Sequence, residues 1–312
     1  MPQSASMPSR DADYQQALAG GLLPIREVAR RTGVNPVTLR AWERRYGLIV
    51  PQRTAKGHRL YSRAHIEQIQ EILAWLGRGV AVSKIRNLLE NSEAQAPDST
   101  SPWHPLLLQS LGAIGQTDER RLDELFNAAL AIYPVRTLCE HFMQPLLVEL
   151  ERRWQGQFGN QLERVFFLSW LRSKLGARLY HHNRQTPGAP LLLVNQSDLA
   201  LEPGLWLSAW LASSSGCPIV VFDWPLPPGE LALAVQRLRP RGVLLYSSRA
   251  LNLNQLPRLL AGIDCPRLIG GAATSIHDQE LSELADNTPG LHLARDPLGA
   301  LLVLQQLRLL QA

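Results

Sequence analysis

The break at Thr32-Gly33-Val34-Asn35-Pro36 constrains the fold more than any other stretch of the chain. Glycine adopts the positive φ of a tight turn without steric cost. Asn35 stands where a helix N-cap belongs, and Pro36 suits the first helical position, whose N–H has no helical partner in any case. Before the break, Pro24 to Arg31 put Ile25, Val28 and Ala29 on one helical face. After it, Val37 to Arg45 put Leu39 and Trp42 on a shared buried side. Thr38, Arg40, Arg44 and Arg45 are then placed to reach a groove or phosphates, although Arg40 could instead bridge Glu43. A helix, a short glycine turn and a basic helix form the geometry that lays a recognition helix in the major groove.

The next segment alternates, turns at Lys56-Gly57 and returns through Leu60. It predicts a two-stranded wing whose Arg53, Lys56, His58, Arg59 and Tyr61 can meet a nucleic-acid backbone. Ser62 is positioned to cap a helix carrying Ile66, Ile69, Leu73 and Leu76, and a short helix follows from Val82 to Leu89. Charge agrees with this reading. From Pro24 to Asn91 there are thirteen Lys and Arg against five acids, a net +8, whereas the whole chain carries only +5. A basic head on a near-neutral body points to a polyanion bound by the head alone, the alternative being a solvated charged face.

These motifs carry a resemblance. VARRTGVNPVTLRAWERRYGLIVPQRTAKGHRLYS resembles the N-terminal domain of the MerR family over about 65 residues. LRAWERRYGL followed by RT-x-x-GHRLYS is similar to the subgroup of LitR/CarH light-responsive and MlrA-type curli regulators. The resemblance implies a homodimer that binds an inverted repeat in double-stranded DNA, with RNA polymerase or a signalling protein as further partners. It puts Asn35, Thr38, Arg40, Trp42, Arg44 and Arg45 at the recognition helix. Arg53, Lys56, Gly57, His58, Arg59 and Tyr61 fall in the wing. Trp42 and Tyr61 are each open to a packing role or a phosphate contact.

The expected organisation is multidomain. A disordered leader (1–23) precedes an all-α winged helix-turn-helix head (24–91) and a Pro- and Ser-rich linker (92–105). A four-helix bundle (106–184) follows, its helices running from Leu106, from a Thr117 cap, from Pro134 to Trp154, and from Gln161 to near His182. From 188 to 312, short apolar runs at Leu191–Val194, Ile219–Phe222, Gly242–Tyr246, Arg267–Ile269 and Leu291–Leu293 alternate with helical stretches. That alternation implies a doubly wound, flavodoxin-like parallel sheet. Ligands of such sheets bind beyond the strand C-termini, here near Asn195–Gly204, Ser247–Ser248 and Gly270–Ala273. Trp206, Trp210 and Trp224 lie near this presumed mouth as core, pocket or interface residues.

A bundle followed by this sheet is similar to the cobalamin-binding module of CarH-type photoreceptors, and Gly270-Gly271-Ala272 resembles a glycine turn of that fold. Relatives that bind cobalamin carry Asp-x-His-x-x-Gly after the first strand. Aligning its glycine to Gly204 puts Leu201 at the cobalt-ligating histidine and Leu199 at the aspartate. Leucine has no lone pair to donate. The family's bundle also shows a Trp followed by a Glu-His pair. Trp154 is present here, but Glu163-Arg164 stands at the pair, one residue early. The expectation is a degenerate pocket of Trp154, Glu163, Leu201, Gly204, Gly270 and Gly271 that holds no cobalamin. The tail then serves dimerisation, sensing of another small molecule, or docking of a partner protein.

Other chemistries find no support in the sequence. Cys139, Cys217 and Cys265 are widely spaced, which fits a reducing compartment and no cysteine-rich metal site. There is no bilayer-length apolar run, no apolar core to the N-terminal stretch, and no hydrolase, Walker or zincin motif. His181-His182 and Glu140-His141 lack a third ligand at metal spacing. The chain reads as a cytoplasmic, non-enzymatic, metal-free regulator. Arg53→Ala or Arg59→Ala is expected to weaken binding to every duplex and flatten its salt dependence. Changes at Thr38 or Arg40 are expected to alter sequence preference in competition gel shifts.

Overall fold

A computed structural model describes residues 21–54, 57–77, 82–90, 102–154 and 160–310. The chain divides into two compact units, one drawn from residues 1–110 and 120–142, the other from 111–119 and 143–312.

The first unit opens with strand β1 (Leu23–Pro24), then helix α1 (Ile25–Thr32) and helix α2 (Pro36–Ala41). Gly33 ends α1 at φ 71° and returns its N–H to the Ala29 carbonyl. Asn35 caps α2 by accepting from the Val37 N–H at 2.8 Å. The second helix is not α-helical through Arg45, because its last turn, Trp42–Tyr46, widens to a π-turn. Gly47 closes it at φ 60°, a left-handed conformation that glycine adopts freely.

Strands β2 (Gln52–Arg53) and β3 (Arg59–Tyr61) form the wing. The expected two strands become three, since β1 pairs antiparallel with β3 through Leu23–Tyr61 and Pro24–Leu60. Helix α3 (Arg63–Gly77) and helix α4 (Val82–Glu90) follow. At the start of α3, His65 N–H approaches Ser62 Oγ at 3.4 Å, and Ser62 N–H donates to His65 Nδ1 at 3.0 Å. This is a capping box with histidine in the usual place of Glu or Gln. Val28, Val34, Leu39, Trp42, Ile49, Tyr61, Ile69, Ile72 and Ile85 form the core of the unit.

Four helical stretches occupy 103–183. Helix α5 (Trp103–Gly115) begins at Trp103, inside the expected linker. Helix α6 spans Glu119–Leu130. Thr117 does not cap it: its φ is 52°, and its hydroxyl donates to the Gln116 carbonyl. The expected helix from Pro134 to Trp154 is interrupted, running as α7 (Val135–Leu138), a π-turn (Cys139–Met143) and α8 (Gln144–Trp154). Helix α9 spans Asn160–Asn183. The Ile132–Tyr133 corner between α6 and α7 packs against the core of the first unit.

The second unit carries the five expected strands: β4 (Leu191–Asn195), β5 (Ile219–Phe222), β6 (Gly242–Tyr246), β7 (Arg267–Gly270) and β8 (Leu291–Ala294). All pair in parallel in the order β5-β4-β6-β7-β8, with Asn195 opposite Tyr246. The first strand therefore lies inside the sheet, and the order reverses between β4 and β6. On one face, α11 (Pro228–Leu238), α12 (Leu256–Leu260) and α14 (Asp278–Asn287) cover Leu192, Val194, Val243, Leu245 and Ile269. On the other lie α10 (Pro203–Ser214) and α15 (Pro297–Gln306). Almost every residue of α10 is buried, which explains its lack of any amphipathic pattern. The short α13 (Ala273–Ile276) follows β7.

Burial lowers the pKa of His65 below its ordinary value, so the unfolded chain takes up this proton first. The cap is fully present above about pH 6.5 and is lost as pH falls through the lower folded pKa. His65→Gln should keep the reciprocal bond and remove that part of the acid destabilisation. Amide hydrogen exchange in α3 at pH 7.5 and 5.5, compared between the two proteins, measures it.

Candidate functional site

The outward face of the first unit is set by which residues its core claims. Trp42 is 0% exposed, and its Nε1–H donates to the Ile132 carbonyl at 2.8 Å. It is a packing residue. Thr38 and Tyr61 are each 1% exposed, so neither offers its side chain to a groove or a phosphate. The expectation for Thr38 is thus corrected: Leu39 is the neighbour that must face the core, but the turn of α2 carries Thr38 in beside it. What α2 presents is Val37, 56% exposed, together with exposed Arg40, and Arg44 and Arg45 on the π-turn. Val37 was not singled out from the sequence, because an apolar residue there reads as core.

The wing is tied to the recognition segment by one carboxylate. Glu43, largely buried, accepts from Arg53 Nη2 at 2.6 Å and from Arg59 Nε at its other oxygen. Arg40 is therefore not the partner of Glu43 that the spacing allowed. Burial opposes ionisation of Glu43, but the bonds from Arg59 and then Arg53 outweigh it and hold the pKa below the usual carboxylate range. Arg53 stays half exposed and Arg59 mostly covered. At the tip, Gly57 (φ 79°) donates to the Thr54 carbonyl, and the exposed His58 donates its N–H to Thr54 Oγ1. Lys56 lies outside the described residues. On α1, Arg30 and then Arg31 bond Glu27 and lower its pKa to about 2, so these bases are matched within their own helix.

In the second unit a cavity of about 340 Å³ opens beyond the strand C-termini. Leu199, Leu201, Pro203, Ser248, Arg249 and Ala272 form one side, and Glu151, Trp154, Arg164 and Leu168 of α8 and α9 form the other. Of the expected pocket, Trp154 and Leu201 line it, with the Arg164 guanidinium 5.9 Å from the Trp154 ring centre. Glu163, Gly204, Gly270 and Gly271 do not line it. Glu163 instead faces Arg153 at 3.9 Å. Trp206 and Trp210 are buried, the former donating to Asp223 at 2.7 Å, whereas Trp224 is 65% exposed. Buried Glu202 accepts from the N–H and hydroxyl of Ser248. Glu151 is exposed taken as a whole residue, yet desolvation at its carboxyl and then the charge of Glu202 push its pKa up. Among the described residues no three His, Cys, Asp or Glu groups could share a metal ion, and no helix is long and apolar enough to cross a membrane.

A family model for the MerR HTH regulatory proteins matches residues 23–92, and a B12 binding domain model matches residues 109–179. The chain is 34% identical over 230 residues to the HTH-type transcriptional regulator MlrA of Escherichia coli (strain K12), covering 74% of this chain and 86% of that protein. It is 27% identical over 283 residues to the HTH-type transcriptional repressor CarH of Myxococcus xanthus, covering 84% and 92%. The Methanosarcina barkeri monomethylamine corrinoid protein aligns at a TM-score of 0.46 and 14% identity, over 65% of this chain and 99% of that one. A winged helix-turn-helix at the head of such a chain defines a DNA-binding transcriptional regulator. The chain belongs to the MerR family, within the group that holds MlrA and CarH.

Glu43→Gln is expected to release both wing arginines. It should cost the first unit roughly 1–2 kcal/mol, since charged hydrogen bonds are lost from a partly screened site. It should also steepen the dependence of non-specific duplex binding on salt, by about one unit in the slope of log K against log salt. Urea denaturation and a salt titration by fluorescence anisotropy read the two effects.

Proposed function

We propose that the protein is a homodimeric, cytoplasmic and non-enzymatic transcription factor. Each α2 enters a major groove of an inverted repeat, and each wing holds the flanking backbone. The observation that carries the reading is the exposed row Val37, Arg40, Arg44 and Arg45 beside a wing fixed to the same helix by Glu43. Arg40 is suited to the acceptor edge of guanine, and the Val37 isopropyl group to a thymine methyl. Arg44, Arg45, Arg53 and His58 serve phosphates, which set affinity and register but carry no base identity.

The match to a B12 binding domain and the likeness to CarH favour a second reading, a cobalamin-dependent repressor. The residues do not fit that group. Leu201 offers only carbon toward the cavity where cobalt would need a nitrogen, and no histidine lies among the cavity residues. The second unit is therefore read as a module for dimerisation, for another small molecule, or for docking a signalling protein. RNA polymerase remains a further partner at the promoter.

Competition gel shifts with the full chain test the first reading. Arg40→Ala should lose discrimination at one base pair of each half-site by about 1–3 kcal/mol, and Arg53→Ala should weaken all duplexes alike. Equal effects of both changes on every sequence would argue against α2 as the reading element. For the second unit, purification with adenosylcobalamin followed by a visible spectrum is decisive: retained absorbance would overturn the reading drawn from Leu201.

A further inference from the structure

Sheets of this topology take ligands in the crevice where the strand order reverses, here between β4 and β6. Side chains alternate along a strand, so Leu192, Val194, Val243, Leu245 and Ile269 face α11, α12 and α14. Asn195, Tyr246 and Gly270, each ending its strand, share the other face, that of α10. Asn195 is fully buried and its amide is used within the protein. It donates to the carbonyls of Leu199 and Asp223 and accepts from the N–H and hydroxyl of Ser197.

Tyr246, 4% exposed, fills the rest. Three glycines lie against its ring. A Cβ on Gly204, at the start of α10, would stand 2.1 Å from Tyr246 Oη and 2.5 Å from Cζ. On Gly270 it would stand 2.9 Å from Cδ2, and on Gly271 2.8 Å from Cε1. No real Cβ approaches so closely in a close-packed interior, so even alanine at these positions would displace the ring. Gly271 has further reasons of its own, a φ of 95° and the Ser247 carbonyl 2.3 Å from such a Cβ. Glycines that would let a ligand come against backbone here make room for a side chain of the protein itself.

We propose that Tyr246 is the built-in occupant of this crevice, its phenol ring standing where a ligand's ring would go. The module keeps the packing of a filled cleft without a bound molecule, and the site left by removing the ring takes a single neutral phenol-sized ring. The proposal rests on the reading that the second unit holds no cobalamin, and it adds an obstacle independent of Leu201. The cavity lined by Trp154 and Leu201 is a separate space, with neither Tyr246 nor the three glycines in its lining.

The test uses the full chain as wild type, Tyr246→Ala and Tyr246→Phe, melted with and without 4-methylphenol, the tyrosine side chain as a free molecule. Tyr246→Ala should lower the Tm of the second unit by roughly 10 °C, as expected for emptying a buried aromatic site. Millimolar 4-methylphenol should recover at least half of that loss saturably, while wild type and Tyr246→Phe do not respond. A Tyr246→Ala protein that melts within about 2 °C of wild type, or that ignores 4-methylphenol, overturns the proposal. Should Tyr246→Ala not accumulate in folded form, expression with 4-methylphenol becomes the readout. Soluble protein recovered only in its presence supports the proposal, and equal failure with and without it overturns it. Leu201→His alone should retain no adenosylcobalamin through gel filtration, and retention would count against a closed crevice. Retention by the wild type would instead sink the reading of the second unit given above, with the 4-methylphenol response still deciding the place of Tyr246.

Discussion

The burial of Trp42 is the constraint on which the first unit depends. Its indole fills the space where α2, its π-turn and the Ile132–Tyr133 corner converge, and its N–H is satisfied by the Ile132 carbonyl. Once that ring points inward, helical geometry decides the rest. Leu39 and Thr38 follow it into the core, and Val37, Arg40, Arg44 and Arg45 are left outside. A buried indole N–H without a partner would be costly, so the corner contributed by 131–133 belongs to the head as much as its own helices do.

Charge then joins helix to wing. Glu43 spends its two oxygens on Arg53 and Arg59, fixing a short sheet to the recognition segment. The basic head therefore has two populations of cations. Arg30 and Arg31 on α1 and Arg59 on the covered part of the wing are matched by Glu27 and Glu43 and shape the protein. Those on the exposed side of α2 and its π-turn are available to a polyanion. Net charge counts both alike; geometry separates them.

The second unit has the strand order of a doubly wound sheet, with a cavity beyond its strand C-termini. Gly270 and Gly271 stand at the end of β7, and the position expected for a metal-binding nitrogen is leucine. The adjoining crevice is packed by the ring of Tyr246. The polar residues at the cavity are partly matched among themselves, with Glu202 held by Ser248 and Arg249 near Asp198 at 3.4 Å.

Much of this was legible along the chain. The Gly33–Asn35–Pro36 break, the five apolar runs of the sheet and the leucine at 201 are local patterns, and local backbone preference or side-chain chemistry decides them. The third strand of the head was not legible, because two residues at Leu23–Pro24 carry no periodicity and gain strand character only by pairing with β3. Nor were the π-turns, the inward Thr38, or the choice of Arg53 and Arg59 over Arg40 as partners of Glu43. Each depends on which atoms meet across the fold, and spacing along one helix cannot report that. Sequence alone determined the class of each segment, since this follows from residue type and period. Tertiary structure decided which arginines face outward and what fills the crevice, because burial and ion pairing are set between residues far apart in the chain.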